Sequence, residues 1–377
     1  MGVTTPGAVL GAGSLNALPL SAAERQIFHV IRNLSGLSRV EIAAQTGLSK
    51  PTVSKALKKL ADAGLVNEER EQPNGMGQPM IRITLRAAAM GLTGISLSTR
   101  GLYVAVCDLA GEPVWNSAPC DTPEPAQIIP AVLDLLADAV RATGGAGDVG
   151  LAVPGLLDRH GTICEITPRQ SHIPFADLIA ALRQARPDAC VTASSRADLL
   201  HHALTPQGAG RVSFQLSMVD GIGGQVFDRD RAFIGGFNMA GNIGALAPDT
   251  GPRPSLPDLA AFLGVPVSDL TLDAIAARHA AGDPELAEWI RSRAAALSPG
   301  LAALVQLINP EQLVLGGNLP SRVIADLAAH LDFAAYDHPE RMPLPRPLVI
   351  ISDIIGEPAR ARAAACLPMA RFIFGTT

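Results

Sequence analysis

Between positions 20 and 86, apolar residues recur three and four apart in three short runs, each preceded by a helix-capping residue. Ile27, Val30 and Ile31 follow Ser21 and Glu24, a Ser-x-x-Glu pair that can cap a first turn reciprocally. Leu37-Ser-Arg-Val-Glu-Ile42 repeats the device with Ser38 and Glu41, and places Leu37 and Ile42 as a hydrophobic staple. That second helix is expected to run to about Thr46 and stop at Gly47-Leu48. Ser49 then caps a third, with Pro51 in the first turn, where a missing N–H costs nothing. Along it Val53, Ala56, Leu57 and Leu60 face inward, leaving Lys50, Thr52, Ser54, Lys55, Lys58 and Lys59 outside. Gly64-Leu65-Val66 opens an extended arm to Glu71, and the turn Pro73-Asn-Gly-Met-Gly-Gln-Pro79 leads into the alternating strand Ile81-Arg-Ile-Thr-Leu85. The pattern predicts three helices and a β-wing.

From Met90 the texture changes to apolar strands and glycine turns alternating with Ala/Leu-rich helices, an α/β pattern. Residues 94–111 read as a β-hairpin, and Val149-Gly-Leu-Ala-Val-Pro-Gly-Leu-Leu-Asp158 as a buried strand ending in a turn. The stretch Ala294 to Asn309, broken by Ser298-Pro299-Gly300, reads as a buried helix rather than a membrane span. Val219-Asp-Gly-Ile-Gly-Gly-Gln-Val-Phe227 is a glycine turn between two strands. Such backbone can cradle a phosphate, and it equally makes a plain tight hairpin.

Composition narrows the class. A chain of 377 residues with 48% hydrophobic and 17% charged content can bury a sizeable core and divide into two or three domains. Five scattered cysteines, Cys107, Cys120, Cys164, Cys190 and Cys366, suggest neither a disulfide framework nor a zinc knuckle, and are expected to be reduced core residues. The N-terminal run lacks Lys or Arg before its apolar residues, so a cytoplasmic address is expected. The net charge of −5 is unevenly spread. Residues 1–86 hold ten Lys and Arg against six Asp and Glu, while 87–377 hold twenty against twenty-nine. All four lysines fall between positions 50 and 59, a clustering suited to phosphates.

Ser38 to Val66 closely resembles the winged helix-turn-helix of bacterial transcription factors. The resemblance implies that the helix from Ser49 to about Asp62 enters the major groove of double-stranded DNA. Ser49, Lys50, Thr52, Ser54 and Lys55 would then reach base edges, with Lys58 and Lys59 meeting phosphate. In such wings a Gly-Arg-Pro arginine can enter the minor groove. Here that position is Gln78 in Gly77-Gln-Pro79, with Arg70 and Arg82 as substitutes.

The hairpin of residues 94–111, Val149–Asp158, the glycine turn at 219–227, Ile234-Gly-Gly-Phe-Asn-Met-Ala-Gly-Asn-Ile-Gly-Ala245 and Asn309-Pro-Glu-Gln-Leu-Val-Leu-Gly-Gly-Asn-Leu319 occur in an order that resembles the ROK family of repressors and sugar kinases. A winged head on such a body is similar to its repressor branch, the xylose- and N-acetylglucosamine-type regulators. The implied fold class is α/β: a winged helix-turn-helix N-terminal domain plus an actin-like, RNase H-like duplicated ATPase-fold body. The implied boundaries are an N-terminal tail at 1–19, the head at 20–86, a first lobe at 90–200 and a second lobe at 201–377, its C-terminal helix packing back on the first lobe.

Where the family's kinases carry a phosphate-loop Asp-x-Gly-Gly-Thr, this chain has Ser96-Leu-Ser-Thr-Arg100. Where they carry the catalytic aspartate, in Glu-Asn-Asp-Ala-Asn, it has Ser194-Ser-Arg-Ala-Asp198, so Arg196 replaces the base. Arginine cannot accept a proton at ordinary pH. Asn242 and Ala245 replace the glutamate and histidine of Ala-Gly-Glu-x-Gly-His, and the zinc-loop position, Pro248 to Phe262, has no cysteine or histidine. Arg169 stands where the family often has a sugar-binding asparagine. Neither kinase activity, nor metal, nor cofactor is expected.

Two arginines in one ancestral sugar cleft suit an anionic effector, a sugar phosphate or sugar acid, held by Arg169, Arg196, Ser195 and Asn242 against the Pro154-Gly155 turn. The bland reading pairs the arginines with Asp198 or Glu165 and leaves the cleft empty; His201 and His202 read as packing or surface residues. The expectation is a repressor acting as a homodimer or homotetramer on a palindromic operator, with effector binding between the lobes changing the spacing of the heads. Two rivals stay open: a regulator controlled by a protein partner, and a residual sugar kinase.

Overall fold

The computed structural model describes residues 3–4, 9–71, 80–98, 100–153, 156–157, 163–165, 173–194, 204–206, 208, 210–229, 231–236, 240–246, 253–334 and 345–375. It divides into two compact units, one of residues 1–206 with 360–377, the other of 207–359.

The head forms as its caps dictate. Helices α1 (Ala22–Asn33) and α2 (Arg39–Thr46) each begin with a complete capping box, Ser21 with Glu24 and Ser38 with Glu41. Helix α2 ends at Gly47, whose φ of 69° is a left-handed conformation that suits glycine. Helix α3 (Lys50–Asp62) starts from the Ser49 cap. Ile27, Phe28, Ile31, Ile42, Val53, Leu57 and Leu60 are fully buried or nearly so. Strand β1 is the short Val3–Thr4 segment; β2 (Val66–Glu71) and β3 (Met80–Leu85) pair antiparallel as the wing, and Leu37 bridges to Ile83.

The rest of the first unit is a sheet containing β4 (Leu92–Ser98), β5 (Gly101–Cys107), β6 (Pro113–Asn116), β7 (Asp148–Ala152) and β10 (Val191–Ser194), in the order β1-β6-β5-β4-β7-β10. Strands β8 (Leu156–Leu157) and β9 (Ile163–Glu165) pair separately. Strands β6, β5 and β4 run antiparallel, whereas β4, β7 and β10 run parallel. Helices α4 (Ile128–Thr143) and α5 (Phe175–Ala185) contribute Val132, Leu136, Leu178 and Leu182 to its core.

The second unit repeats the scheme with β11 (Ser213–Met218), β12 (Ile222–Asp228), β13 (Arg231–Ala232), β14 (Gln312–Gly317) and β15 (Leu348–Ile355), in the order β13-β12-β11-β14-β15. Again the first three strands are antiparallel and the last two join parallel to the first. The same strand order twice in one chain is the duplicated α/β body that the sequence predicts. Helices α6 (Leu256–Leu263), α7 (Leu272–Ala280), α8 (Pro284–Ile308) and α9 (Ser321–Ala329) build its core around Trp289. The expected helix at 294–309 is the second half of α8, which carries Pro299 inside it. Ser298 Oγ donates to the Ala294 carbonyl and accepts from Asp332 N, so its hydroxyl is used on both sides.

Helix α10 (Gly356–Phe374) closes the chain, and from residue 360 it belongs to the first unit. It lies directly on the first sheet's backbone. A Cβ at Gly94 would stand 1.8 Å from the Ala361 carbonyl oxygen, and one at Gly150 1.9 Å from that of Ala364. Residues 9–17, read from sequence as tail, pack on this unit too. Leu10 and Leu15 are buried, and Asn16 donates twice to the fully buried Asp148, at 3.1 and 2.9 Å, and once to the Pro368 carbonyl. Among the described residues, no helix is long and apolar enough to cross a membrane, and no group of His, Cys, Asp or Glu is arranged to hold a metal. Four described cysteines are free thiols, two of them buried; burial raises the Cys107 pKa well above the ordinary thiol value.

Candidate nucleic-acid interface

The apolar spacing of α3 fixes what the helix shows to solvent. With Val53, Ala56, Leu57 and Leu60 turned into the head, Ser49, Lys50, Thr52, Ser54, Lys55, Lys58 and Lys59 are all exposed. Ser49 is committed locally, since its Oγ accepts from Thr52 N and lies 2.8 Å from Thr52 Oγ1. Lys50, Lys55 and Lys58 have no carboxylate partner among the described residues, and their ammonium groups lie on the exposed face of α3.

Two other sequence candidates are engaged within the head. Lys59 Nζ lies 2.8 Å from Glu24 Oε1, and the Glu24 side chain is only 7% exposed. Its other oxygen, Oε2, accepts from Ser21 N as part of the capping box. Burial alone would push the Glu24 carboxyl up, but the bonds from Lys59 and Ser21 outweigh it and hold the pKa below the ordinary value. Lys59 therefore ties α3 to the start of α1. Arg82 likewise reaches Glu41 at 3.1 Å, and Arg39 reaches Glu68 at 2.7 Å, joining α2 to both wing strands. Arg70 is exposed on β2 between Glu69 and Glu71, and Gln78 lies outside the described residues. The sequence carries the signal for the Glu24 pair only in part: a capping box commits one carboxylate oxygen and leaves the other available.

Of the candidate effector residues, Gly155, Arg169, Ser195 and Arg196 lie outside the described residues, but the strands feeding two of these segments are defined. Strand β7 stops just before Val153-Pro154-Gly155 and β10 just before Ser195-Arg196. These strands are parallel neighbours with Ala152 beside Ser194, and Val153 N donates to the Ser194 carbonyl at 3.0 Å. Ser96 of β4 is beside Ala152 on its other side and is fully buried. Two segments singled out from the sequence thus follow directly on the carboxyl ends of β7 and β10, and Ser96 lies near the carboxyl end of the neighbouring parallel strand β4, at the edge where open α/β sheets bind ligands. Asn242 is exposed in the second unit, directly after Gly241.

The glycine turn at 219–227 is the β11–β12 hairpin. Gly224 is explained by packing, because a Cβ there would come within 2.4 Å of the Phe214 ring and 2.8 Å of the Gly241 carbonyl oxygen. Gly221 and Gly223 have no such neighbour, so packing does not demand glycine at either position.

Head and body together define the class: a winged helix-turn-helix of MarR type, joined to a duplicated body with the fold of the ROK sugar kinases. A solved ROK family transcriptional regulator is similar to this chain in fold over head and body together. The MarR family profile matches residues 18–75. Over 368 residues the chain is 27% identical to the uncharacterised protein y4fQ of Sinorhizobium fredii, covering 94% of this chain and 92% of that one. It is 22% identical over 349 residues to the DNA-binding transcriptional dual regulator NagC of Escherichia coli K12, covering 84% of each. Among solved structures, a ROK family transcriptional regulator homologous to the E. coli MLC protein superposes with a TM-score of 0.67 at 18% identity, over 93% of this chain and 96% of the other. A ROK family glucokinase from Streptomyces griseus superposes at 0.57 with 20% identity, over 74% of this chain and 98% of its own.

Proposed function

We propose that this protein is a DNA-binding transcriptional regulator, a repressor of carbohydrate-related genes. The observation that carries the reading is the outward face of α3, where Lys50, Lys55 and Lys58, without a carboxylate partner among the described residues, are exposed beside Thr52 and Ser54. Ammonium groups without a carboxylate partner meet phosphate without first breaking an internal ion pair, and short hydroxyl side chains beside them reach base edges. Two heads on an oligomer would engage half-sites one helical turn or a multiple apart, giving a palindromic operator.

The body takes a regulatory role in this reading. Ser96 and Arg196 stand where the family's kinases use acids, so phosphoryl transfer loses its base and its phosphate-loop carboxylate. Arg169 and Arg196, with Gly155, Ser195 and Asn242, suit an anionic sugar derivative as effector. Footprinting of the full chain on DNA upstream of its own and adjacent genes, with Lys55→Ala beside it, tests the proposal. A protected palindrome, lost in the variant, supports it. No protected site, or ATP-dependent phosphorylation of a sugar, overturns it.

A further inference from the structure

Helix α1 serves two neighbours. Ile27 and Ile31 are buried, while Phe28 meets Phe372 of α10 edge-on, with ring centroids 5.5 Å apart, and His29 meets Phe374 at 5.7 Å. One turn beyond Phe28, Arg32 spreads a single guanidinium over two loops of the body. Its Nε donates to the Leu109 carbonyl at 2.9 Å, Nη2 to that of Ala110 at 3.1 Å and Nη1 to that of Leu204 at 2.6 Å; Nη1 also reaches Asn33 Oδ1 at 3.2 Å.

Both loop contacts are built rather than incidental. The 108–112 turn is held from within, because Asp108 Oδ1 accepts from Ala110 N and Glu112 N while Gly111 N donates back to the Asp108 carbonyl. Gly111 has φ +94, and a Cβ there would stand 3.1 Å from Nη2 of Arg32, so glycine permits the close approach. Leu204 is fully buried and follows Arg196 by eight positions in the chain. At the other end of α1, Glu24 holds Lys59 of α3.

We propose that Arg32 is the positioning residue that couples the turn beginning at Leu204 to the orientation of the DNA-reading helix. The route is Leu204 carbonyl, Arg32, α1, Glu24 and Lys59, each link a hydrogen bond, an ion pair or a continuous helix. A lysine could satisfy one of these carbonyls but not both loops together, because only the guanidinium offers five donors in a fixed fork. The inference rests on the DNA-binding reading above, and linkage makes it testable from the DNA side: whatever the Leu204 segment does to the head, DNA on the head must do in return.

The test is hydrogen–deuterium exchange at the Leu204 and Thr205 amides and across the 109–111 turn. It uses the full chain with and without the footprinted duplex, for the parent protein, Arg32→Lys and Gly111→Ala. The parent should show a change in exchange on DNA binding of about fivefold or more at both loops. In Arg32→Lys and in Gly111→Ala the change at Leu204 and Thr205 should vanish, while duplex affinity stays within about threefold of the parent. A purely structural anchor would shift exchange equally with and without DNA. A parent that binds the duplex without a response at Leu204, or an undiminished response in Arg32→Lys, overturns the coupling and leaves the regulator standing. A parent that binds no duplex overturns both.

Discussion

Glu24 and Lys59 join the first turn of α1 to the last turn of α3, 2.8 Å apart, with the carboxylate buried and the lysine half exposed. One glutamate thus caps its own helix and fixes the tilt of another. Glu24→Gln keeps an oxygen for Ser21 N but removes the charge, and should destabilise the head by about 1 kcal/mol. The sign with pH follows from the depressed carboxyl. Its contribution is fully present above the ordinary value of 4.5 and is lost as pH falls through the lower folded-state value. Thermal melts of the two proteins should therefore differ at neutral pH, begin to converge as pH falls below 4.5, and meet once it is below the depressed folded-state value.

Ser49, the cap of α3, and Ser54 within it are both exposed, yet they should respond differently. Ser49 caps α3, so Ser49→Ala should lower the stability of the head by about 1 kcal/mol in addition to any effect on DNA. Ser54→Ala should leave melting unchanged and relax base preference at one position of each half-site, by about 1–2 kcal/mol. Competition binding against single-base operator variants, set beside melts, separates the two.

In the second unit, Asp258 accepts from Nε and Nη2 of Arg293, at 2.7 and 2.9 Å, and from Trp289 Nε1 at 2.7 Å. Arg293 also lies over the Phe262 ring, 4.8 Å from its centroid. This network anchors α6 to α8. Asp258→Asn should destabilise the protein by about 2–4 kcal/mol, whereas a strong chelator should leave the melting temperature of the parent unchanged.

Gly94 faces the backbone of α10 with no room for a methyl group. Gly94→Ala must push the helix or the strand aside and should cost about 3 kcal/mol. If the melt is unaltered, the close seating of α10 on β4 is refuted.

The head was legible because its signals are local: two Ser-x-x-Glu boxes, a glycine stop and a capped third helix all lie within a few residues of what they control. The repeated strand order followed from a resemblance; apolar alternation alone does not say which strand lies beside which. What escaped the sequence is long-range. Asn16 finds Asp148 across 132 positions, so residues 9–17 read as tail. Nothing near Lys59 in sequence reveals its partner Glu24, thirty-five positions earlier in the chain. The helix expected over 294–309 is present, but its continuation back to Pro284 was not read from the sequence. The effector candidates were read from residue types, and of these Asn242 alone is described.

The most direct test of the account is the salt dependence of duplex binding by the parent, Lys58→Ala and Lys59→Ala. Lys58 has no carboxylate partner among the described residues and should meet phosphate, so its removal should lower the slope of log K against log salt by about 0.9 and weaken binding uniformly across sequences. Lys59→Ala should leave that slope unchanged and instead lower the melting temperature of the head, since its partner is Glu24. Equal slopes and equal affinities for all three proteins would contradict the claim that α3 is the surface that meets DNA.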